Sequence, residues 1–138
     1  MKDKKICVVF NAATGCGNHK KHITQLVELD NKYGSKGLQI IGFPSNEFSQ
    51  CRHDSHEVAE SILREYNAKF PILDKIKVLG GHIHPFWEAL VKEAGFADTN
   101  WNYYKFLVEP DLNVLAHGDC KKKKPMDFES DIKSALGL

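Results

Sequence analysis

The side chains best suited to chemistry in this sequence are its four cysteines, Cys7, Cys16, Cys51 and Cys120. None belongs to a C-x-x-C pair and their spacing forms no regular framework, so structural disulfides are not expected in a reducing compartment. Cys16 stands out by its setting. The run Asn11-Ala12-Ala13-Thr14-Gly15-Cys16-Gly17 leaves an apolar segment and enters a helical pattern, and in an open α/β sheet that junction is where functional groups collect. A thiol there meets unbonded backbone N–H groups and the positive end of a helix, both of which favour the thiolate. Lys20 and Lys21 add positive charge if they face the loop. Gly15 and Gly17 leave the sulfur uncrowded for a small substrate. The competing reading is a small residue filling a turn, since free cysteines are commonly buried and inert. Cys7, inside the apolar segment, is read in that way.

Two further segments are expected beside Cys16. Phe43-Pro44-Ser45-Asn46-Glu47-Phe48 ends a second apolar segment, at what should be the same edge of a parallel sheet. Trp101-Asn102 precedes Tyr103 to Val108, and if that strand runs antiparallel its start lies at the same edge. An indole N–H and an Asn amide are neutral donors that orient a peroxide and stabilise a thiolate or a developing alkoxide. Cys51 is close enough in sequence to Glu47 to resolve an oxidised Cys16 after a short loop movement, and Cys120 ranks behind it. Cys51-x-His53-x-x-His56 and His82-x-His84 carry soft ligand types, but the spacings fit no regular zinc motif. No metal is expected.

These residues need elements to hold them. Ile6 to Phe10 is a continuous apolar run, the pattern of a strand buried on both faces. Ile23, Leu26, Val27, Leu29 and Tyr33 recur at helical spacing, with Asn18 as N-cap and Gly34 as stop. Leu38 to Phe43 is a second strand, which completes a βαβ unit with parallel strands. A helix from Asp54 or Ser55 presents Val58, Ala59, Ile62, Leu63 and Tyr66. Pro85 opens another, which Gly95 ends. Tyr103 to Val108 and Asn113 to His117 form an antiparallel hairpin about Glu109-Pro110-Asp111, and a last helix from about Met126 to Leu136 buries Phe128, Ile132, Ala135 and Leu136. The order βαβ, α, α, ββα describes an α/β sandwich with a mixed central sheet.

Asn11 to Gly17, Gly42 to Phe48, Phe70-Pro71-Ile72-Leu73-Asp74-Lys75-Ile76 and Trp101 to Val108 together resemble the glutathione peroxidases, in that family's order and near its spacings. The resemblance implies a thioredoxin-like fold. It also implies peroxide reduction by a Cys or selenocysteine nucleophile assisted by Gln, Trp and Asn. Carried over, Cys16 is the peroxidatic residue and Trp101 and Asn102 are two of its helpers. The family's Gln position holds Glu47, an ionised carboxylate that accepts hydrogen bonds and repels a thiolate where an amide donates to it. The resolving cysteine of thioredoxin-dependent members would fall near Leu63. The N-terminal hairpin is missing, and the short stretch from Ile76 to Pro85 replaces the subunit-contact loop, which favours a monomer.

Length and charge bound the rest. The chain has 138 residues with 19 Lys plus Arg against 18 Asp plus Glu, which suits a single domain, residues 1–138, with a full core. A formal charge of +1 removes the electrostatic argument for nucleic acid. No stretch approaches the roughly 20 apolar residues of a membrane span, and the N-terminus does not read as a secretory signal, so a cytoplasmic location is expected. Lys121 to Lys124 is read as a solvated loop that could steer an anionic reductant or an acidic membrane face. The expectation is a thiol peroxidase without metal, haem or nucleotide, recycled by glutathione or a thioredoxin-like protein. The alternative is a non-catalytic thioredoxin-fold redox sensor or binding module.

Overall fold

The computed structural model describes residues 4–45, 55–78, 83–95, 99 and 102–138. Its centre is strand β1, Ile6–Ala12, every residue of which is buried. The continuous apolar run is explained by the helices on both sides. Ile6, Val8, Phe10 and Ala12 face one core, and Cys7 and Val9 face the other, as the two-residue period of a strand requires. The first core receives helix α1 (His19–Tyr33) through Ile23, Leu26, Leu29 and Tyr33, helix α2 (Ser55–Tyr66) through Val58 and Ile62, and helix α4 (Glu129–Leu136) through Ile132 and Leu136. The second receives helix α3 (Pro85–Glu93) through Trp87 and Leu90. Burying each such aliphatic or aromatic side chain stabilises the fold by about 1.5–3 kcal/mol before chain entropy is counted.

The sheet order is β2-β1-β3-β4, with β2 at Leu38–Pro44, β3 at Lys105–Val108 and β4 at Val114–Gly118. Strands β1 and β2 are parallel, from Ile6 opposite Leu38 to Ala12 opposite Pro44. Strand β3 lies antiparallel to β1, with Phe10 opposite Lys105, and β4 returns antiparallel beside it. The C-terminal end of β1, the C-terminal end of β2 and the start of β3 therefore meet at one edge. Gly42 permits a close approach there, because a Cβ would lie 2.6 Å from both Ile72 Cδ1 and Phe10 Cζ.

Several boundaries differ from the expectation for local reasons. The third strand begins at Lys105 and not at Tyr103, because Tyr103 takes a left-handed backbone (φ 61°) and the Tyr104 N–H bonds to the side-chain Oδ1 of Asn11 at 2.7 Å. Leu63 is 57% exposed: at about 100° per residue it is turned away from the face that Val58 and Ile62 bury. Ala135 is also exposed, so Ile132 and Leu136 carry the packing of α4. Pro125 opens a 3₁₀ turn, Pro125–Phe128, which delays α4 to Glu129. His84 caps α3 by accepting the Phe86 N–H at 3.2 Å, with Pro85 in the first turn as expected.

Candidate active site

The loop between β1 and α1 is held by its own backbone. The Cys16 N–H donates to Ala13 O at 3.1 Å and the His19 N–H to Cys16 O at 3.0 Å, so the chain turns sharply and carries the sulfur to the N-terminal end of α1. Cys16 is 6% exposed. Its Sγ accepts the backbone N–H of Asn18 at 3.5 Å, one of the donors that a helix start leaves without an intrahelical partner. Lys20 and Lys21 are exposed on the helix.

Asn18 stands in the N-cap position of α1 but makes no side-chain cap bond. Its amide Nδ2 is instead 4.0 Å from Cys16 Sγ and 3.6 Å from Cys120 Sγ. An amide in the capping position is thus diverted to two sulfurs from opposite ends of the chain. Cys120, behind Cys51 in the sequence reading, is buried beside Cys16 because β4 returns along β3 and delivers the residues after Gly118 to the Cys16 edge.

A buried polar chain joins the same two segments. His22 Nδ1 is 3.0 Å from Asn18 O. A carbonyl only accepts, so Nδ1 carries the proton and Nε2 is left to accept from Lys105 Nζ at 3.2 Å. Lys105 Nζ also donates to Tyr103 O at 2.6 Å and Asp119 O at 3.1 Å. Burial, with the Lys105 charge adding to it, pushes the His22 pKa down to about 3. Lys105 is fully buried, and burial lowers its pKa to about 7 despite the opposing pull of Cys120 and Asp119. His22 is therefore neutral at physiological pH, and Lys105 is poised between charged and neutral. The sequence offered one signal for Lys105, a lysine in an otherwise apolar and aromatic strand, Tyr103 to Val108.

Asn102 is buried and precedes Tyr103, whose N–H bonds to Asn11 O at 2.7 Å. Asn11 therefore fixes the start of β3 against the end of β1, and places Asn102 at the Cys16 edge as the antiparallel expectation required. The left-handed Tyr103 costs about 1–2 kcal/mol relative to ordinary backbone, a strain of the kind that clusters at functional sites. Its hydroxyl is hydrogen-bonded to His19 Nδ1. Glu47, Cys51 and Trp101, together with His53 and His82, lie outside the described residues. Among the described residues no three metal-ligating side chains cluster. Burial pushes the Cys7 thiol up to about 12, which disfavours its thiolate. A cleft of about 590 Å³ lined by Phe43, His56, Ile72 and His84 lies apart from the sulfur, and neither Cys16 nor Asn102 borders it.

A cysteine at a helix start, at the edge of a mixed sheet that among the described residues has four strands flanked by four helices, belongs to a thioredoxin-like fold. The sequence profile described as glutathione peroxidase matches residues 2–91. "Probable glutathione peroxidase 2" of Arabidopsis thaliana is 36% identical over 137 residues, covering 96% of this chain and 80% of the relative. The "Probable phospholipid hydroperoxide glutathione peroxidase" of Citrus sinensis is 35% identical over 136 residues, with 96% and 81% covered. The crystal structure of T. cruzi GPX1 superposes with a TM-score of 0.74 at 25% identity, covering 99% of this chain and 85% of that one. A thioredoxin-family thiol:disulfide interchange protein from Chlorobium tepidum shares the fold, with a TM-score of 0.65 at 19% identity and coverage of 98% and 82%. The chain belongs to the glutathione peroxidase family. It is an oxidoreductase of thiol peroxidase type, as the sequence resemblance implied.

Proposed function

We propose that Cys16 is the peroxidatic nucleophile of this peroxidase, with Asn102 and Trp101 as donors to the reacting oxygens and Glu47 as the third neighbour. The observation that carries this reading is the sulfur at the start of α1 accepting the Asn18 N–H at 3.5 Å. The thiolate attacks the terminal oxygen of a hydroperoxide. The S–O bond forms as the O–O bond breaks, and the departing alkoxide or hydroxide takes a proton to leave as alcohol or water. This two-electron displacement asks for no metal or prosthetic group, only a thiol to return the sulfenic acid to the thiol. Relatives named for phospholipid hydroperoxide support organic hydroperoxides as substrates beside hydrogen peroxide. Glutathione or a thioredoxin-like protein supplies the electrons.

The protein acts as a monomer in the cytoplasm on this reading. No described helix is long and apolar enough to cross a membrane, although one relative is named as mitochondrial. Steady-state peroxide consumption, with glutathione or with a thioredoxin system as reductant, tests the function. Cys16→Ser should abolish it while leaving the circular dichroism spectrum unchanged, because serine is nearly isosteric and a far weaker nucleophile at neutral pH. Wild-type rates in that variant would remove Cys16 from the chemistry. Oxidation once per molecule without recycling would mark a sensor.

A further inference from the structure

We propose that Cys120 is the resolving thiol of this enzyme, closing a Cys16–Cys120 disulfide after each encounter with peroxide. The inference rests on Cys16 being the peroxidatic residue. Its basis is the convergence of both sulfurs on one amide, with Asn18 Nδ2 at 4.0 Å from Cys16 Sγ and 3.6 Å from Cys120 Sγ. The sulfurs can be no farther apart than those two contacts laid end to end. Both cysteines are free and buried. The usual obstacle to resolution, carrying a distant thiol to the sulfenic acid, is absent here.

The buried chain Asn18 O, His22, Lys105 and Asp119 O keeps the two segments adjacent. The Asn18 amide, which is not engaged in capping, swings out so that the sulfurs approach to about 2.05 Å. The step balances without another reactant. Cys120 loses its proton and its sulfur attacks the Cys16 sulfenic sulfur. The S–S bond forms, the S–O bond breaks, and the departing hydroxide takes a proton to leave as water. Cys120 is thereby oxidised, and a dithiol reductant reopens the bridge by thiol–disulfide exchange.

Electrostatics set the order of events. Burial pushes the Cys120 thiol up, the Lys105 ammonium draws it down, and a thiolate at Cys16 pushes it up again. While Cys16 is charged, Cys120 therefore holds its proton. Once Cys16 is a neutral sulfenic acid the repulsion disappears and the attraction of Lys105 remains, so Cys120 becomes a better nucleophile when it is needed.

The experiment is one equivalent of hydrogen peroxide added to the reduced full-length protein, followed by alkylation of free thiols and peptide mapping. Expected is a Cys16–Cys120 disulfide with two thiols lost per peroxide, in wild type and in Cys51→Ser alike. Cys120→Ser should lose one thiol and leave Cys16 as a sulfenic acid trapped by dimedone, and Cys120→Ala should repeat that result if the serine variant misfolds. A Cys16–Cys51 disulfide, or oxidised Cys16 with Cys120 still alkylated in wild type, would overturn the assignment while leaving Cys16 as the nucleophile. Cys16 recovered as an unoxidised thiol would overturn the peroxidase reading and this inference together.

Discussion

Lys105 offers a quantitative test of the network beneath the two sulfurs. Its ammonium is fully buried and donates to two carbonyls and to His22, yet burial still lowers its pKa from 10.5 to about 7. The folded protein therefore releases this proton before the unfolded chain does. Between about pH 7 and 10.5 the unfolded state binds more protons, and stability rises with pH on account of this group. With those two pKa values, the contribution grows by about 2 kcal/mol from pH 7 to pH 9. His22, with its pKa near 3, is neutral in the fold throughout that range. Lys105→Met keeps the length and removes the titration. The loss of its hydrogen bonds to Tyr103 O and Asp119 O lowers stability by an amount independent of pH, so the titration is read in the slope. Urea unfolding of both proteins at pH 7 and pH 9 should show the wild type gaining about 2 kcal/mol on the variant. A difference equal at both pH values would refute the buried, proton-releasing lysine.

Two further predictions concern the environment of Cys16. Asn18→Ala removes the amide between the sulfurs but keeps the backbone N–H on Cys16, so iodoacetamide alkylation of Cys16 at neutral pH should slow by a few-fold, the scale of one weak hydrogen bond at about 0.5–1.5 kcal/mol; an unchanged rate would show that the amide does not reach the thiolate. Glu47→Gln exchanges a carboxylate for a donor and should raise the thiolate fraction of Cys16 and speed peroxide reduction at neutral pH. Identical alkylation profiles against pH for that variant and wild type would remove position 47 from the site.

The central architecture was legible in the amino-acid sequence because it rests on short-range rules. A five-residue apolar run, Ile6 to Phe10, has nowhere to go but between two layers, and β1 is buried on both faces. The 3.6-residue period from Ile23 to Tyr33 became α1, Pro85 opened α3, and Glu109-Pro110-Asp111 turned a hairpin. The Cys16 loop was legible for the same reason, since a strand that ends where a helix starts exposes helix donors whatever the rest of the chain does. Side-chain destinations were not. Leu63 and Ala135 have apolar side chains, yet both face water, because burial depends on what stands opposite and periodicity describes one element alone. Asn18 has a capping residue's type and position, and only the arrival of Cys120 shows why its amide points elsewhere. Cys120 and Lys105 are 104 and 89 residues from Cys16 along the chain, and no local pattern relates them. Their meeting follows from the sheet order β2-β1-β3-β4, in which β3 and β4 bring the far end of the chain back to the edge where β1 ends. The sequence by itself determined the Cys16 loop and the elements that carry it. Tertiary structure alone decided which thiol and which charge stand beside it, because long-range pairing of strands sets those neighbours.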